Sequence, residues 1–354
     1  MFELIKQKIP SLTSIAGSIV AIVVVLGVYG IWQFVWPSIS INKLGTENLS
    51  GRLVYSGMQK AGELAPKTYS LILDNNDMKV VNESKRFKVL SSNAVEFATS
   101  SNSKDFFFMD LAFDNSSGTS TVVKRVMHAI FPDTLEVVTR GVPEQYGTMS
   151  WSPNLRMLAL SIARENLDGQ AKVSTLNWKV LLTNESGEVQ LEIPDAANPV
   201  WMPNSNLLLY LRSDGIYAYD TLIGAEQRVL SFLDESEQPF SAVVSIMFEV
   251  SPDGRKLVLT TPGTGNISVY EVSATMDVTK LYSRENQSVN YSWPVVSPDG
   301  MSYAVIARDI VDGAFANPRI EFYPISDEKQ GVIGAYPLNG FNPSRVYLDD
   351  WVSN

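Results

Sequence analysis

The hydrophobic and polar positions of this chain fall into two regimes. Residues 12–36, LTSIAGSIVAIVVVLGVYGIWQFVW, form one apolar run without a charge. Beyond residue 45 the pattern changes to short apolar stretches of four to eight residues, many alternating, each bounded by Gly, Pro, Asn, Asp or Ser. Runs of that length with turn residues between them predict β-strands. Residues 248–272, FEVSPDGRKLVLTTPGTGNISVYEV, show the plan. Phe248–Val250 is a strand, Ser251-Pro252-Asp253-Gly254 has type I turn chemistry, and Leu257–Leu259 continues as a second strand. Thr261–Asn266 is the next turn, and Ile267–Val272 alternates as a third strand.

That plan returns. The phrases Trp151-Ser152-Pro153-Asn154, Trp201-Met202-Pro203-Asn204, Val250-Ser251-Pro252-Asp253-Gly254 and Val296-Ser297-Pro298-Asp299-Gly300 each precede an apolar strand. Their prolines are separated by 50, 49 and 46 residues. The strands that follow are 157–163, 207–211, 257–259 and 303–307, and the third strands are 178–183, 216–220, 267–272 and 320–325. Between 307 and 320, and between 163 and 178, the pattern predicts longer loops. Fourth, outer strands are expected at 191–193, 228–230 and 280–282. A fixed period of this length means a repeated supersecondary unit, and a four-stranded unit of about 50 residues predicts an all-β fold, a β-propeller. The 310 residues of 45–354 accommodate six blades, or seven if the terminal blades are short. Upstream, 95–113 has the same strand–turn–strand shape without proline, and 50–57 with 68–74 is a further candidate unit. Residues 346–351 read as a last strand, which is expected to close the ring with the other chain end.

The turn phrase followed by an Ile-Tyr-x-Tyr-Asp-like strand resembles the TolB-type, or PD40, class of WD40-like propeller repeats. The resemblance covers residues 150–325, about half of the chain. It implies a propeller and does not specify an activity. The Gly-His and Trp-Asp signatures of WD40 repeats proper are absent.

The run at 12–36 is long enough to cross a hydrocarbon core of about 30 Å. Tyr29, Trp32 and Trp36 gather at one end, and Pro37 follows. Lys6 and Lys8 precede it, which predicts an N-terminus inside and the rest of the chain outside the cytoplasmic membrane. A cleaved signal peptide is the competing reading, but its apolar core would be shorter and would end in small residues. The expected organisation is a short cytoplasmic tail (1–11), a single transmembrane signal anchor (12–36), a linker (37–44) and a propeller (45–354).

Charge and composition narrow the chemistry. Net charge is −10, and residues 1–44 carry +2, so the rest carries about −12. That balance argues against nucleic acid as a partner. The absence of cysteine removes disulfides and thiolate chemistry, and His128 is the only histidine. No nucleophile elbow, P-loop or dinucleotide fingerprint occurs. Asp74-Asn75-Asn76-Asp77 lacks the glycine and distal glutamate of a calcium loop and reads as a hairpin turn. No catalytic residue, cofactor or metal site is expected.

One pattern does suggest a site. Ala163-Arg164-Glu165-Asn166-Leu167-Asp168-Gly169 and Ala307-Arg308-Asp309-Ile310-Val311-Asp312-Gly313 share one form and lie three repeats apart. On a six-blade ring they would face each other across one face. Arg164, Glu165, Asp168, Arg308, Asp309 and Asp312 are therefore the candidate partner-binding residues, with shared turn chemistry as the plainer explanation. Trp151, Trp201 and Trp293 lie at or near the turn phrase and are expected to pack between blades. The function expected is a non-enzymatic docking module contacting other envelope proteins. The alternatives are a propeller hydrolase or lyase using channel carboxylates on peptide or glycan, and a ligand-binding envelope sensor.

Overall fold

The computed structural model describes residues 49–57, 67–74, 77–82, 94–99, 106–114, 121–130, 134–138, 144–152, 154–164, 177–184, 188–232, 246–261, 265–326 and 331–352. The chain divides into two units, Met1–Thr46 and Glu47–Asn354, and all described residues belong to the second. The expected tail, anchor and linker at 1–44 lie outside the described residues. Among the described residues no helix is long and apolar enough to cross a membrane.

Glu47–Asn354 is an all-β propeller. The first sheet joins the two ends of this unit. It contains β1 (Ser50–Gly57), β2 (Lys67–Asp74) and β3 (Asp77–Asn82), and it also takes in β24 (Val346–Val352) as its innermost strand. The second contains β4 (Ala94–Thr99), β5 (Phe106–Asp114), β6 (Thr121–Ile130) and β7 (Thr134–Val138), described by strands and pairing only. The third contains β8 (Glu144–Ser152), β9 (Met157–Arg164), β10 (Asn177–Asn184) and β11 (Val189–Pro194). The fourth contains β12 (Ala197–Trp201), β13 (Leu207–Arg212), β14 (Gly215–Asp220) and β15 (Ala225–Ser231). The fifth contains β16 (Met247–Val250), β17 (Lys256–Thr261), β18 (Asn266–Val272) and β19 (Val278–Glu285). The last contains β20 (Val289–Val296), β21 (Ser302–Val311), β22 (Ala314–Pro324) and β23 (Gly334–Pro337). Every pairing is antiparallel, and the inner strands β24, β4, β8, β12, β16 and β20 neighbour one another in cyclic order.

Strand faces that alternate in sequence are buried on both sides here, because each sheet packs between two others. Leu209, Leu211, Phe248, Leu257 and Leu259 fill the space between the fourth and fifth sheets. Val258, Val269, Tyr291, Tyr303 and Val305 do the same between the fifth and sixth. Trp201 packs with Ala159, Val180 and Leu208 between the third and fourth, the place expected for a repeat tryptophan.

The turn phrase has a single structure where it ends in glycine. Gly254 N–H donates to Ser251 O at 2.8 Å, and Gly300 N–H to Ser297 O at 2.8 Å. Each serine hydroxyl donates to the following aspartate at 2.5 Å, Ser251 to Asp253 and Ser297 to Asp299. Gly254 and Gly300 sit at φ of 72° and 70°, open to glycine without a Cβ clash. In the two turns without that glycine the left-handed residue is displaced, to Arg156 in one and Asn204 in the other, at 52° each. Successive turns also nest, since Asn154 donates its amide to Asn204 at 3.5 Å and Gly300 abuts Ser251 and Pro252.

The ring closes by β1 pairing with β24, Arg52 opposite Val352 and Gly57 opposite Val346. Trp351, buried, donates its indole N–H to Ser50 O at 3.0 Å and packs edge-on to Phe322 of the neighbouring sheet. The expected closure by the two ends is thus present. One expectation is corrected. Residues 308–319 are not a long loop, because β21 and β22 extend into a hairpin whose two-residue turn is Asp312-Gly313. Both turn residues have positive φ, 50° and 76°, the geometry that matches strand twist.

Candidate functional site

The inner strands enclose a central channel, and a recurrent irregularity shapes its wall. Register shifts occur in β8 between Tyr146 and Met149, in β12 between Ala197 and Val200, and in β20 between Ser292 and Val295. Thr148, Asn198 and Trp293 each stand five residues before the turn proline, so the bulge repeats with the blade. Asn198 and Trp293 hold φ of 50° and 55°, an unfavourable region for a bulky residue. The bulge turns polar groups toward neighbouring sheets. Asn198 accepts a hydrogen bond from Thr148 Oγ1 at 3.1 Å and donates to Ile246 O at 2.7 Å, stitching three inner strands together. Trp293 packs against the core between the last and first sheets, as expected of a tryptophan near the turn phrase. It is half-buried at the channel and lies edge-on to Tyr347, ring centroids 5.1 Å apart.

The channel has two chambers. One, of about 80 Å³, lies where the inner strands begin and is lined by Thr148, Asn198, Met247 and Trp293. The other, of about 220 Å³, lies toward the turn phrases and is lined by Asn154, Asn204, Pro252, Pro298, Asp350 and Trp351. Glu249 and Asp349 border both. Among the described lining residues there is no lysine, arginine or histidine. Glu249 has its pKa pushed up to about 8, first by burial and then by the nearby Asp350 carboxylate, while Val250 N–H opposes the shift with a 3.1 Å hydrogen bond. Burial likewise raises Asp349 well above the carboxylate range, with Ser56 Oγ donating to it at 2.7 Å and Asp350 adding to the rise. At neutral pH Glu249 is thus held largely protonated, so it can donate a proton to a group in the channel. Among the described residues no cluster of His, Cys, Asp and Glu could hold a metal ion.

These channel carboxylates are not the residues that the shared sequence pattern pointed to. Arg164 ends β9, its backbone opposite Glu144 and Asn177. Glu165 and Asp168 lie outside the described residues. Arg308 is buried at 4% exposure, and its guanidinium donates to Pro343 O, Ser292 Oγ, Asn290 Oδ1 and, at 2.7 Å, Val346 O. It ties the last sheet to the closing strand β24, so it is not offered to a partner. Burial lowers its pKa to about 10, which keeps it charged at neutral pH. Asp309 is held low by the Asn317 amide and then by Arg319, which it meets at 2.7 Å. Among the candidates whose side chains are described, only Asp312 is exposed, at the hairpin turn. In the second motif Asp312-Gly313 forms a hairpin turn, and Arg308 is buried.

The hairpin itself is the product of that motif. Ile310 N–H donates to Ser288 O at 2.8 Å, and beyond it Val311 and Phe315 are 50% and 42% exposed. Its base is stiff. Arg319 bridges Asp309 and Glu321, at 2.7 and 2.6 Å, and buried Glu321 accepts a hydrogen bond from Tyr323 Oη. Two other residues singled out in sequence are placed only by backbone. His128 pairs with Phe108 and Glu136 within its sheet. Asp74 pairs with Asp77 across a hairpin, as the turn reading expects.

Compared with known proteins, the chain matches no family model. No curated protein matches it either. Solved structures do. TolB from Acinetobacter baumannii superposes with a TM-score of 0.55 at 15% identity, over 86% of this chain and 67% of that one. A luciferin-regenerating enzyme superposes with a TM-score of 0.51 at 8% identity, over 80% of this chain and 90% of that one. At such identities the likeness is one of fold, and the class it defines is the β-propeller.

Proposed function

We propose that this chain is a membrane-tethered, six-bladed propeller that docks a partner protein of the cell envelope on the face carrying the β21–β22 hairpin. Six four-stranded sheets with cyclically neighbouring inner strands support the count. The apolar, charge-free run at 12–36 supports the tether, and the resemblance to TolB-type repeats supports an envelope setting. The observation that carries the docking role is the hairpin. It is the longest pairing of the last sheet, it is braced by an ion-paired base, and it ends in two half-exposed apolar side chains, Val311 and Phe315. A rigid element with an apolar tip gives a partner contact area without an ordering cost.

The test is site-specific photocrosslinking in intact membranes from Phe315, with Val311→Asp as the perturbation. Docking predicts one discrete crosslinked product that falls at least tenfold in the Val311→Asp chain, whose folding is checked by its unfolding midpoint. A uniform ladder, or a product indifferent to Val311→Asp, refutes it.

A second reading has one specific observation behind it, the raised pKa values of Glu249 and Asp349 in the channel. It assigns the channel to carboxylate chemistry, or to capture of a cationic group. Activity or ligand affinity changing through pH 8 and abolished by Glu249→Gln would favour it over docking.

A further inference from the structure

The face opposite the hairpin carries its own unexplained feature. The most exposed large apolar side chains among the described residues are Ile223 at 75%, Leu222 at 71% and Met301 at 61%. Strand direction places all three at one end of the ring. Inner strands run toward the turn phrases, and every second strand after them runs the same way, so the 221–224 and 298–301 turns share that end. Thr221 confirms the adjacency of the two kinds of turn, its N–H donating to Asn206 O at 3.1 Å. Val189, half-exposed, opens β11 at the same end, after the β10 terminus that pairs with Met157.

The Leu222-Ile223 turn is built to present these side chains. Asp220 Oδ1 accepts hydrogen bonds from the N–H groups of Leu222 at 2.8 Å and Ile223 at 3.4 Å. Gly224 N–H closes the turn on Asp220 O at 2.9 Å. With its backbone donors satisfied inside, the turn has two aliphatic side chains directed outward. The apolar tips are spread over the third, fourth and sixth sheets. Scattered tips on one level fit a planar, fluid partner better than the compact buried centre of a protein interface. The chain also joins the ring at this end, because Ser50 begins β1 opposite Asp74 and next to the end of β24. Only twelve residues, 37–48, separate the apolar run from Leu49.

We infer that the turn-phrase face rests on the lipid surface, with Leu222 and Ile223 inserted among the headgroups and Met301 and Val189 supporting them. The inference rests on the tethered reading of residues 12–36. The same face carries Glu188, Asp220, Asp253, Glu271, Asp277 and Asp299 against Arg156, Arg255 and Lys256. Neutral headgroups are therefore the favoured contact, and anionic ones are repelled.

The chain has no cysteine, so single cysteines can be placed without background. The full-length chain is reconstituted in phosphatidylcholine vesicles with an environment-sensitive dye at Leu222→Cys, at Met301→Cys, at Phe315→Cys or at Val24→Cys. Nitroxide-labelled lipid is then added. Lipid contact predicts blue-shifted emission and at least twofold quenching at positions 222 and 301, none at 315, and quenching at 24 by deep nitroxides. Positions 222 and 301 unquenched while 24 is quenched would overturn the lipid contact and leave the tether standing. All positions unquenched would overturn both. Emission shifted but unquenched at 222 would mean that protein, a second copy or a partner, covers the turn, which also overturns it.

Discussion

Replacing Glu249 with glutamine should make the ring more stable in alkaline solution. A carboxyl whose folded pKa lies above its unfolded value binds its proton more tightly in the folded state. Folding stability is then greatest in acid, falls as pH rises past 4.5, and levels off above the folded value of about 8. This sign is opposite to that of an ion-paired carboxylate. Moving a carboxyl from 4.5 to about 8 costs at most about 5 kcal/mol, at about 1.36 kcal/mol per pH unit. Glu249 is only half-buried and borders the channel, so water screens the charge and a loss of about 1–3 kcal/mol between pH 6 and 9 is expected. Urea unfolding of the full-length chain in mild detergent, followed by tryptophan fluorescence at both pH values, measures it. Glu249→Gln keeps the shape and cannot ionise, so its loss should be smaller by that amount. Asp349, raised in the same direction, leaves a residual slope. Equal pH dependence in both proteins, within about 0.5 kcal/mol, would refute the assignment of a strained carboxyl to position 249.

Arg308→Met should destabilise the ring by about 3 kcal/mol, because the buried acceptors Val346 O, Ser292 Oγ and Asn290 Oδ1 and the part-buried Pro343 O lose their donor. An unchanged urea midpoint would contradict its role as a tie to β24. Gly265→Ala should cost about 2–4 kcal/mol, since its Cβ would stand 2.0 Å from Asn286 O at φ +65. Gly313→Ala, at φ +76 with nothing within 4 Å, should cost only about 1 kcal/mol, and equal midpoints for the two would undo the steric argument.

Residues 150–325 were legible because their turns are written in residues with conformations of their own. Pro252 and Gly254, or Pro298 and Gly300, announce a turn wherever they stand. The first two sheets lack that punctuation, so before β8 only 50–57, 68–74 and 95–113 are legible as strands, and β3, β6 and β7 are not. That β1 is a second strand beneath β24 follows from pairing across the whole chain, which no local pattern encodes. The 307–319 segment read as a loop because Asp312, Asn317, Pro318 and Arg319 interrupt the apolar run. The Asp312-Gly313 pair, the turn chemistry already noted in the shared pattern, is the hairpin signal. Arg308 looked like a surface charge, and only the approach of β24 buries it. Glu249, Asp349 and Asp350 have no diagnostic spacing. Their one local mark is a charge inside an otherwise apolar inner strand, as in Met247–Val250. Channel walls are composite, and a site assembled from several blades leaves no contiguous motif.

The pairing of β1 with β24 also governs how the ring can be made. The hairpins of the third to sixth sheets join neighbours in sequence and can form early. Closure brings together residues such as Ser50 and Trp351, 301 positions apart, and so pays the largest loop entropy and comes late. Until then β1 and the apolar side of the neighbouring sheet stand open, an edge complementary to β24 of any other copy. Refolding at high concentration should therefore trap chains exchanging their last strand, whereas dilute refolding lets each chain latch onto itself.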